Sequence, residues 1–523
     1  MKPLRLRAPQ EHGQVLAVPA LDQVGRLLVD NQRSLNSARL STSSQSLAEL
    51  RTLARQEVLA ASTQYHQEAD QPVADTSCER WLVAGHQPEL FHPGVWFKNF
   101  ALGKLAQQHG ATALNLVIDT DSAKPALLHV PSEGKLAWIA FDRFTAELPY
   151  EERIVEEETT FADFAERMQP ITSRWNFEPM LASYWREVMQ RAKRTPLLGE
   201  RFAAARRAME RRWGVTQREV PMSRVCQTAS FATFAYWVVA DLPRFHAIYN
   251  QTVQEYRQEH GIRSRSHPVP DLAGDGAWLE APFWAWRRGQ GRRGKLFVRH
   301  TPTTLDLRVA GEIWPSLPRH DATQAAEGWR GLESQGFKIR SRALTTTMFA
   351  RLLLADVFIH GIGGGIYDEL TDRILERYFA IPAPAFLTVS ATLLLPLPRF
   401  PDAGHQSRDL ARRWRDLVYK PELFVERSPK VEPLMAAKQD WIRRGGSTHV
   451  ERAERFERIR QINGQLRPYV LTHLQELQHR LEACRGPAEL EAVAGRRDYA
   501  FCLYPEEMLR TFFQSQMDCL CTV

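Results

Sequence analysis

A pattern in residues 81–121 predicts the core of the fold. Residues 81–84 are four apolar side chains in a row, as in a buried strand, and a turn rich in Gly, Pro and His follows them. Residues 95–106 then carry apolar side chains at helical spacing, and residues 114–118 form a second apolar run. Strand, turn, helix and strand in this order predict one βαβ unit with parallel strands.

Candidate site residues follow each strand of this unit. In open α/β sheets, ligands bind at the carboxyl ends of the strands. The first strand ends at Gly85, His86 and Gln87, and the second is followed by Asp119 and Asp121. Either aspartate would suit Mg²⁺ or a substrate amine, and either would equally suit a helix cap, so the sequence leaves both roles open. His86 at the strand tip is the stronger histidine candidate, with a structural role as its alternative, whereas a helix cap would explain His92.

Composition excludes several classes of protein. The chain has 523 residues, 44% of them hydrophobic and 25% charged, which is typical of a globular protein with two or three parts. Its longest apolar runs, residues 231–240 and 352–359, are too short to span a bilayer. The first residues lack the apolar segment of a signal peptide. We therefore expect a cytoplasmic protein without a membrane partner.

The charge and the cysteines point to a small-molecule substrate rather than to nucleic acid or a dedicated metal site. A net charge of +7 is small for this length and gives only a weak nucleic-acid signal. The six cysteines are scattered and form no CxxC pair, which fits a reducing compartment and predicts neither a disulfide framework nor a zinc site.

A basic turn lies between two strand-like runs, residues 278–286 and 295–299. The pattern predicts a β-hairpin whose tip carries Arg287 and Arg288. Guanidinium groups bind carboxylates and phosphates well, so these arginines are candidates for holding a substrate anion. A solvated turn without a ligand is an equally good interpretation.

A glycine-rich stretch predicts a second site. Residues 356–360 form a buried strand, a run of glycines follows, and residues 366–370 open a helix. Glycines at this place let the backbone approach a ligand, and the helix N-terminus offers N–H groups to a phosphate. The spacing is neither GxGxxG nor a P-loop, and a tight turn without ligand is the alternative. The candidates here are Gly361, Gly363, Gly364, Gly365 and Tyr367.

The last quarter of the chain predicts a helical arm. Apolar residues between positions 456 and 481 recur in steps of three and four, as in a coiled coil. Gly464 and Pro468 interrupt this seam and predict a kink or two shorter helices. Residues 499–504 resemble a last strand. The predicted parts are N-terminal helices with the first half of the core (1–150), a helical and then β-hairpin insertion (151–335), the second half of the core (336–400), the arm (401–490) and a terminal strand and tail (491–523).

Two motifs resemble one known family. The stretch Gly85-His86-Gln87-Pro88-Glu89-Leu90-Phe91 is similar to the Gly-Gln-Gln-x-x-Leu-Phe turn of the cysteine-adding enzymes of bacillithiol biosynthesis, the cysteine ligases. The stretch from Gly361 to Tyr367 resembles the Gly-Pro-Gly-Glu-Ile-x-Tyr motif of that family. This chain carries His86 in place of a glutamine and Gly364 in place of the acidic residue. The order of the parts also matches along most of the chain.

The resemblance implies a fold and a reaction. It implies an α/β protein with a Rossmann-like core akin to class I aminoacyl-tRNA synthetases and nucleotidyltransferases, a mainly helical insertion, and a coiled-coil arm that makes a homodimer. The implied reaction joins cysteine to the amine of a glucosaminyl-malate conjugate, with ATP or ADP as ligand and Mg²⁺ as a possible companion. In the synthetase-like fold, histidines of the first turn neutralise charge at the transition state, and His86 matches that place.

Three hypotheses follow. The first is a carbon–nitrogen ligase of the cysteine-adding type, with His86, Asp119 and Asp121 as catalytic candidates. The second is a nucleotidyltransferase that acts on a small substrate. The third is a nucleotide-binding dimeric scaffold without activity, which the glycine at position 364 favours.

Overall fold

The computed structural model describes residues 6–40, 46–74 and 78–519, which form two compact units. The first unit contains residues up to 128, residues 139–393 and residues from 497 onward, and the second contains residues 129–138 and 394–496. The strands are β1 Val15–Val18, β2 Arg80–His86, β3 Ala111–Val117, β4 Leu127–Ser132, β5 Lys135–Ala140, β6 Arg218–Pro221, β7 Gly274–Asp275, β8 Trp278–Arg287, β9 Gly294–His300, β10 Thr304–Val309, β11 Glu312–Pro318, β12 Phe337–Ser341, β13 Val357–His360 and β14 Leu387–Ala391.

Helices are distributed over both units. They are α1 Val24–Ser37, α2 Leu47–Glu68, α3 Pro93–His109, α4 Glu158–Ala162, α5 Phe164–Thr172, α6 Leu181–Arg191, α7 Leu198–Arg212, α8 Met222–Val225, α9 Ala229–Ala240, α10 Leu242–Glu259, α11 Ala322–Ser334, α12 Ala343–Phe349, α13 Ile362–Tyr378, α14 Ala403–Tyr419, α15 Glu432–Arg444, α16 His449–Leu466, α17 Leu471–Ala494 and α18 Glu506–Cys519. Within the described residues, no helix has both the length and the apolar character needed to cross a membrane.

The first unit is built on a six-stranded sheet with the order β1-β14-β13-β2-β3-β6. All neighbours are parallel except β1, which pairs antiparallel with β14 at the edge. In chain order, the five parallel strands therefore lie as 3-2-1-4-5. Trp81 and Val83 of β2 belong to a large apolar cluster that includes residues of α2 and α9. Leu82 and Ala84, which point to the other face, are also fully buried, so helices cover both faces of the sheet.

The predicted βαβ unit is present as β2, α3 and β3, and its boundaries have local causes. The ring nitrogen Nδ1 of His92 accepts a hydrogen bond from the Gly94 backbone N–H at 3.1 Å, and Pro93 occupies the first helical position. Gly110 ends α3 in the left-handed conformation, with φ of 56°. His92 is therefore a helix cap.

A buried carboxylate fixes β13 beside β2. Asp356 accepts a hydrogen bond from the Trp81 backbone N–H at 2.7 Å and forms ion pairs with Arg51 at 2.5 Å and Arg55 at 2.9 Å. Both arginines lie on α2, which begins with a capping box formed by Ser46 and Glu49. The helix is thus tied to the middle of the sheet.

The predicted hairpin belongs to a larger antiparallel sheet. β8 pairs with β9, and the sheet order is β11-β10-β9-β8-β12, with β7 also paired to β8. Successive strands are close in sequence, so short turns connect most of them. Of these strands, the sequence pattern predicted β8 and β9 as a hairpin and did not predict the others as one sheet.

The second unit contains the helical arm, which packs on itself. Gly464 and Pro468 fall at the predicted interruption, where α16 ends at Leu466 and α17 begins at Leu471. Val470 and Leu474 pack against Leu417 of α14. Much of the predicted coiled-coil seam is thus buried inside its own unit.

Two predictions of local structure are wrong. Residues 499–504 form no strand, because Phe501–Leu503 make a 3-10 turn whose side chains are buried, and the helix α18 follows. The continuous apolar run there arises from burial of a turn. The glycines after β13 do not form a loop before a helix either, since α13 already begins at Ile362.

Candidate functional site

A crevice opens between β2 and β13, two neighbouring parallel strands from which the chain continues toward opposite edges of the sheet. The chain leaves β2 through α3 to reach β3 on one side, and it leaves β13 through α13 to reach β14 on the other. Ligands of open α/β sheets bind at such a point. A cavity of about 600 Å³ lies here, and its lining includes Gly85 and His86 at the end of β2 and Gly361 and Gly363 after β13. The structure thus brings the two predicted glycine-containing turns together.

Lys98 is the buried cation of this crevice. It lies on α3, only 3% of its surface is exposed, and its ammonium donates a hydrogen bond of 2.8 Å to the carbonyl oxygen of Gly85. A Cβ on Gly361 would lie 3.9 Å from the Lys98 side chain, so the lysine spans the ends of β2 and β13. Throughout the described residues, no carboxylate lies within ion-pair distance of it. Burial lowers the pKa of Lys98 to about 8.

The first turn of α13 faces the cavity with open N–H groups. Gly361 precedes the helix, and within the described part of the chain no side chain caps this end. Gly363 has open space where a Cβ would lie, whereas a Cβ on Gly365 would come within 2.3 Å of the Thr388 hydroxyl. Gly363 therefore lines the cavity, and Gly365 allows close packing on β14. Tyr367 points elsewhere and contacts the ring of His267.

His86 lies at the tip of β2 as predicted and lines the cavity with Gln87. Its Nε2 is 3.6 Å from Glu89, and its ring packs edge-on against Phe91. Burial lowers the pKa of His86 to about 4, so the imidazole is neutral at pH 7. In the free protein, the neutral ring can donate or accept a hydrogen bond here.

The two predicted aspartates face different places. Asp121 lines the cavity, where it pairs with Arg293 at 3.0 Å and accepts a hydrogen bond of 2.9 Å from Gln87. Asp119 does not line this cavity. Its carboxylate is buried and accepts hydrogen bonds from Ser223 at the start of α8. The sequence left two roles open for Asp119, a ligand contact or a helix cap, and in the structure Asp119 caps α8.

Arg287 and Arg288 do not line the cavity. Arg287 forms an exposed ion pair with Glu312, and Arg288 lies 3.8 Å from Glu333. Arg287 thus pairs with a carboxylate of β11, and Arg288 lies near a carboxylate of α11. The hairpin instead contributes two residues from the other side of its turn, Arg293 just before β9 and Lys295 near the start of β9.

A third wall carries Arg342, which precedes α12. Its guanidinium stacks on Trp284 with 4.2 Å between the carbon Cζ and the ring centre, and its Nη1 donates to Glu280 at 2.7 Å. Lys295 binds the same fully buried carboxylate at 3.0 Å. The Nε and Nη2 of Arg342 have no hydrogen-bond partner in the described part of the chain.

The cavity is strongly positive. Five cationic side chains line it, while Asp121 is the single carboxylate among the described residues of the lining. The cationic residues are Lys98, Arg293, Lys295, Arg342 and Arg497. Because Lys98 has no carboxylate partner, the arrangement favours an anionic ligand at the strand ends.

Lys98 and Arg497 were missed by the sequence argument. A signal for Lys98 existed, because it stands inside a run of large apolar residues on α3, where burial of an unpaired charge is costly. Arg497 donates to the hydroxyl of Ser390 at 3.0 Å, a residue more than one hundred positions away in sequence. No local pattern indicates such a contact.

A metal site formed by protein alone has no support in residues 6–40, 46–74 and 78–519, where no three His, Cys, Asp or Glu side chains are grouped to hold an ion. Mg²⁺ commonly uses one or two carboxylates together with substrate phosphates. Asp121 is the residue that would fit this pattern, although Arg293 and Gln87 already occupy its oxygens.

Comparisons with known proteins add no assignment. The chain matches no protein-family model, and it matches no curated protein.

Proposed function

We propose that this protein is an enzyme that binds the phosphates of an adenine nucleotide at the crevice between β2 and β13. The observation that carries the proposal is Lys98, a buried ammonium that has no carboxylate partner among the described residues and lies beside the first turn of α13. Helix N-termini and buried cations are both suited to phosphate. Gly363 leaves room for the ligand to approach the backbone.

The order of the parallel strands supports a Rossmann-like core. The order 3-2-1-4-5 is that of the doubly wound α/β folds, which bind nucleotides where the order reverses. That point is the junction of β13 and β2, where the cavity lies. A core akin to that of class I aminoacyl-tRNA synthetases is part of the proposal.

The proposed reaction is formation of an amide by a ligase of the cysteine-adding type. A carboxylate must be activated before an amine can displace its oxygen, and phosphorylation or adenylation achieves this. Lys98 and the α13 N–H groups would stabilise the charge that develops on the departing phosphate. The positive wall formed by Arg293, Lys295 and Arg342 would hold the second, anionic substrate. His86, neutral at pH 7, would contribute a hydrogen bond.

Calorimetry tests the nucleotide site. ADP and ATP are titrated into the wild type, Lys98→Met and Lys104→Met, the last being a lysine of the same helix that does not line the cavity. We expect the wild type and Lys104→Met to bind equally and Lys98→Met to lose at least tenfold in affinity. Equal affinity in all three proteins would refute the site.

Product analysis then separates the reactions. Incubation with ATP, cysteine and an amino-sugar acceptor should yield an amide together with ADP or AMP. A product that retains the nucleotidyl group would instead indicate a nucleotidyltransferase, and binding without turnover would indicate a scaffold.

We also propose a homodimer formed through the arm. Val450 and Phe456 on α16 are 76% and 63% exposed, which is unusual for side chains of this size. Light scattering on a Val450→Glu, Phe456→Glu double variant tests this, since a dimer that depends on this face would become a monomer.

A further inference from the structure

His360 ends β13, lines the cavity and has no role in the site as proposed so far. Its side chain is 5% exposed, and its ring is held between Phe358 and Phe386 at centre-to-centre distances of 4.5 and 5.0 Å. Imidazole is the side chain best suited to proton transfer near neutral pH. A fixed imidazole at the edge of a phosphate site therefore calls for an explanation beyond packing.

Asp368 sets the orientation of the ring. The Nε2 of His360 is 2.7 Å from Asp368 Oδ2, and Arg351 Nη1 donates to the same oxygen at 2.6 Å. Burial by itself would raise the pKa of Asp368, but Arg351 and His360 outweigh it and hold that pKa well below its ordinary value. Asp368 is thus a carboxylate, which can only accept. Nε2 must carry the hydrogen, and Nδ1 of the neutral ring presents a lone pair.

Nδ1 faces the first turn of α13. A Cβ built on Gly364 would lie only 2.7 Å from this nitrogen, so the imidazole occupies the space that a side chain at position 364 would need. Gly364 itself lines the cavity. Nδ1 consequently lies beside the uncapped N–H groups that would receive an anion.

The charged groups around the ring favour a proton there once an anion is bound. Asp368 faces the ring from α13, and Arg351 connects Asp368 to Asp372 through a hydrogen bond of 2.6 Å. Lys98 lines the same cavity from α3. In the free protein, Lys98 and the positive end of α13 disfavour a second cation. A bound anion offsets both of these effects, and Asp368 then stabilises the imidazolium.

We propose that His360 is the proton-carrying residue of this site, with Asp368 and Arg351 as its positioning residues. The inference rests on the proposed anion site. In the proposed reaction the amine forms a bond to the acyl carbon, and the bond from that carbon to the phosphate oxygen breaks. The imidazolium that forms on anion binding gives its proton to the departing phosphate oxygen, and the neutral Nδ1 then takes the proton that the attacking nitrogen loses.

Proton uptake on binding is the test. Inorganic pyrophosphate and ADP are titrated into the wild type, His360→Asn and His320→Asn by calorimetry at pH 7.5, in buffers with different ionisation enthalpies. We expect proton uptake in the wild type and in His320→Asn, which changes an exposed histidine outside the cavity. We expect a clearly smaller uptake in His360→Asn, where Lys98 remains the cavity cation that can gain a proton.

The outcomes separate the inference from the proposed function. His360-dependent uptake with pyrophosphate but no binding of ADP would sustain the inference and end the nucleotide proposal. Binding of ADP with equal proton uptake in all three proteins would support the nucleotide proposal and refute the role of His360. If pyrophosphate does not bind to the wild type, the inference is wrong.

A steric pair of variants gives an independent test should His360→Asn fail to fold. Gly364→Ala places a methyl group against Nδ1, whereas Gly331→Ala, on α11 and outside the cavity, meets no atom within 4 Å. We expect Gly364→Ala to displace the ring and lower the proton uptake, and Gly331→Ala to retain it. Retention in both would overturn the proposal. Asp368→Asn should reduce the uptake, because the amide can accept the Nε2 hydrogen but cannot balance an imidazolium.

Discussion

Ser223 donates two hydrogen bonds to Asp119, one from its backbone nitrogen at 2.8 Å and one from its hydroxyl at 2.5 Å. The pair ties the end of β3 to the start of α8. Burial, with the neighbouring carboxylate of Glu151, raises the pKa of Asp119 to about 7. The residue that sequence placed among the catalytic candidates thus has a structural role, and its ionisation affects stability.

Asp119→Asn is expected to change how stability depends on pH. Between the ordinary pKa of 3.8 and about 7, the folded protein keeps a proton on Asp119 that the unfolded chain has released. The free energy of unfolding therefore falls as pH rises through this range, by at most about 1.4 kcal/mol per pH unit from this group. Denaturant unfolding at several pH values between 5 and 7.5 should show a shallower decline in Asp119→Asn. The partly exposed Asp121→Asn serves as control, and equal slopes for wild type and Asp119→Asn would contradict the prediction.

The affinity for ADP is expected to fall as pH rises through about 8. Lys98 has a pKa of about 8 in the free protein, and a bound phosphate favours its charged form. Above this pH the amine must first take up a proton, which costs up to about tenfold in affinity per pH unit. Calorimetry between pH 7 and 9 should show this decline in the wild type. Lys98→Arg, which stays charged, should show a smaller decline, because only the proton uptake by His360 remains, and a decline of the same size in that variant would assign the effect to another group.

Asp356→Asn is expected to destabilise the first unit strongly. Its carboxylate is 1% exposed and holds Arg51 and Arg55, so its neutralisation leaves two buried cations without a counter-charge. Loss of one partner of a buried ion pair costs about 3–5 kcal/mol. The matched control is Asp30→Asn, whose pair with Arg26 is exposed and should contribute less than about 1 kcal/mol. Thermal unfolding distinguishes the two, and equal midpoints would show that the Asp356 ion pairs contribute little.

Gly94→Ala is expected to push α3 away from β14. A Cβ on Gly94 would lie 2.1 Å from the carbonyl oxygen of Ala391, a backbone atom that cannot move without the strand. Overpacking of this kind typically costs about 1–3 kcal/mol. Gly331→Ala on α11 meets no atom within 4 Å and should stabilise by up to about 1 kcal/mol through helix propensity. Opposite shifts of the unfolding midpoint are therefore expected, and a neutral Gly94→Ala would contradict this packing.

Local patterns predicted those parts of the fold that depend on local sequence. Consecutive apolar residues, helix caps and Gly110 determine β2, α3 and β3, and each boundary there follows from its own neighbours. Residues 499–504 mislead for the same reason, because their apolar side chains are buried in a turn that tertiary contacts hold. An apolar run indicates that side chains are buried, but it does not show whether the backbone there forms a strand or a turn.

The candidate site was predictable at its strand ends and not on its walls. Gly85 and His86 end β2, and Gly363 lies shortly after β13. Because these strands are neighbours in the sheet, the topology brings the three residues together. The choice between Asp119 and Asp121 depends on where a turn directs each side chain, and the choice between Arg287 and Arg293 depends on the register of a hairpin. A one-residue shift in a strand reverses the face of a side chain, and sequence alone does not fix that register.

The contribution of Arg497 to the cavity has a consequence for biosynthesis. The walls include residues as early as Gly85, yet the side chain that binds Ser390 is added only at position 497 of 523. Domains begin to fold during translation. A nascent chain that has completed the parallel sheet therefore still lacks part of its binding cavity, and the ligand can stabilise the fold fully only after Arg497 has also left the ribosome.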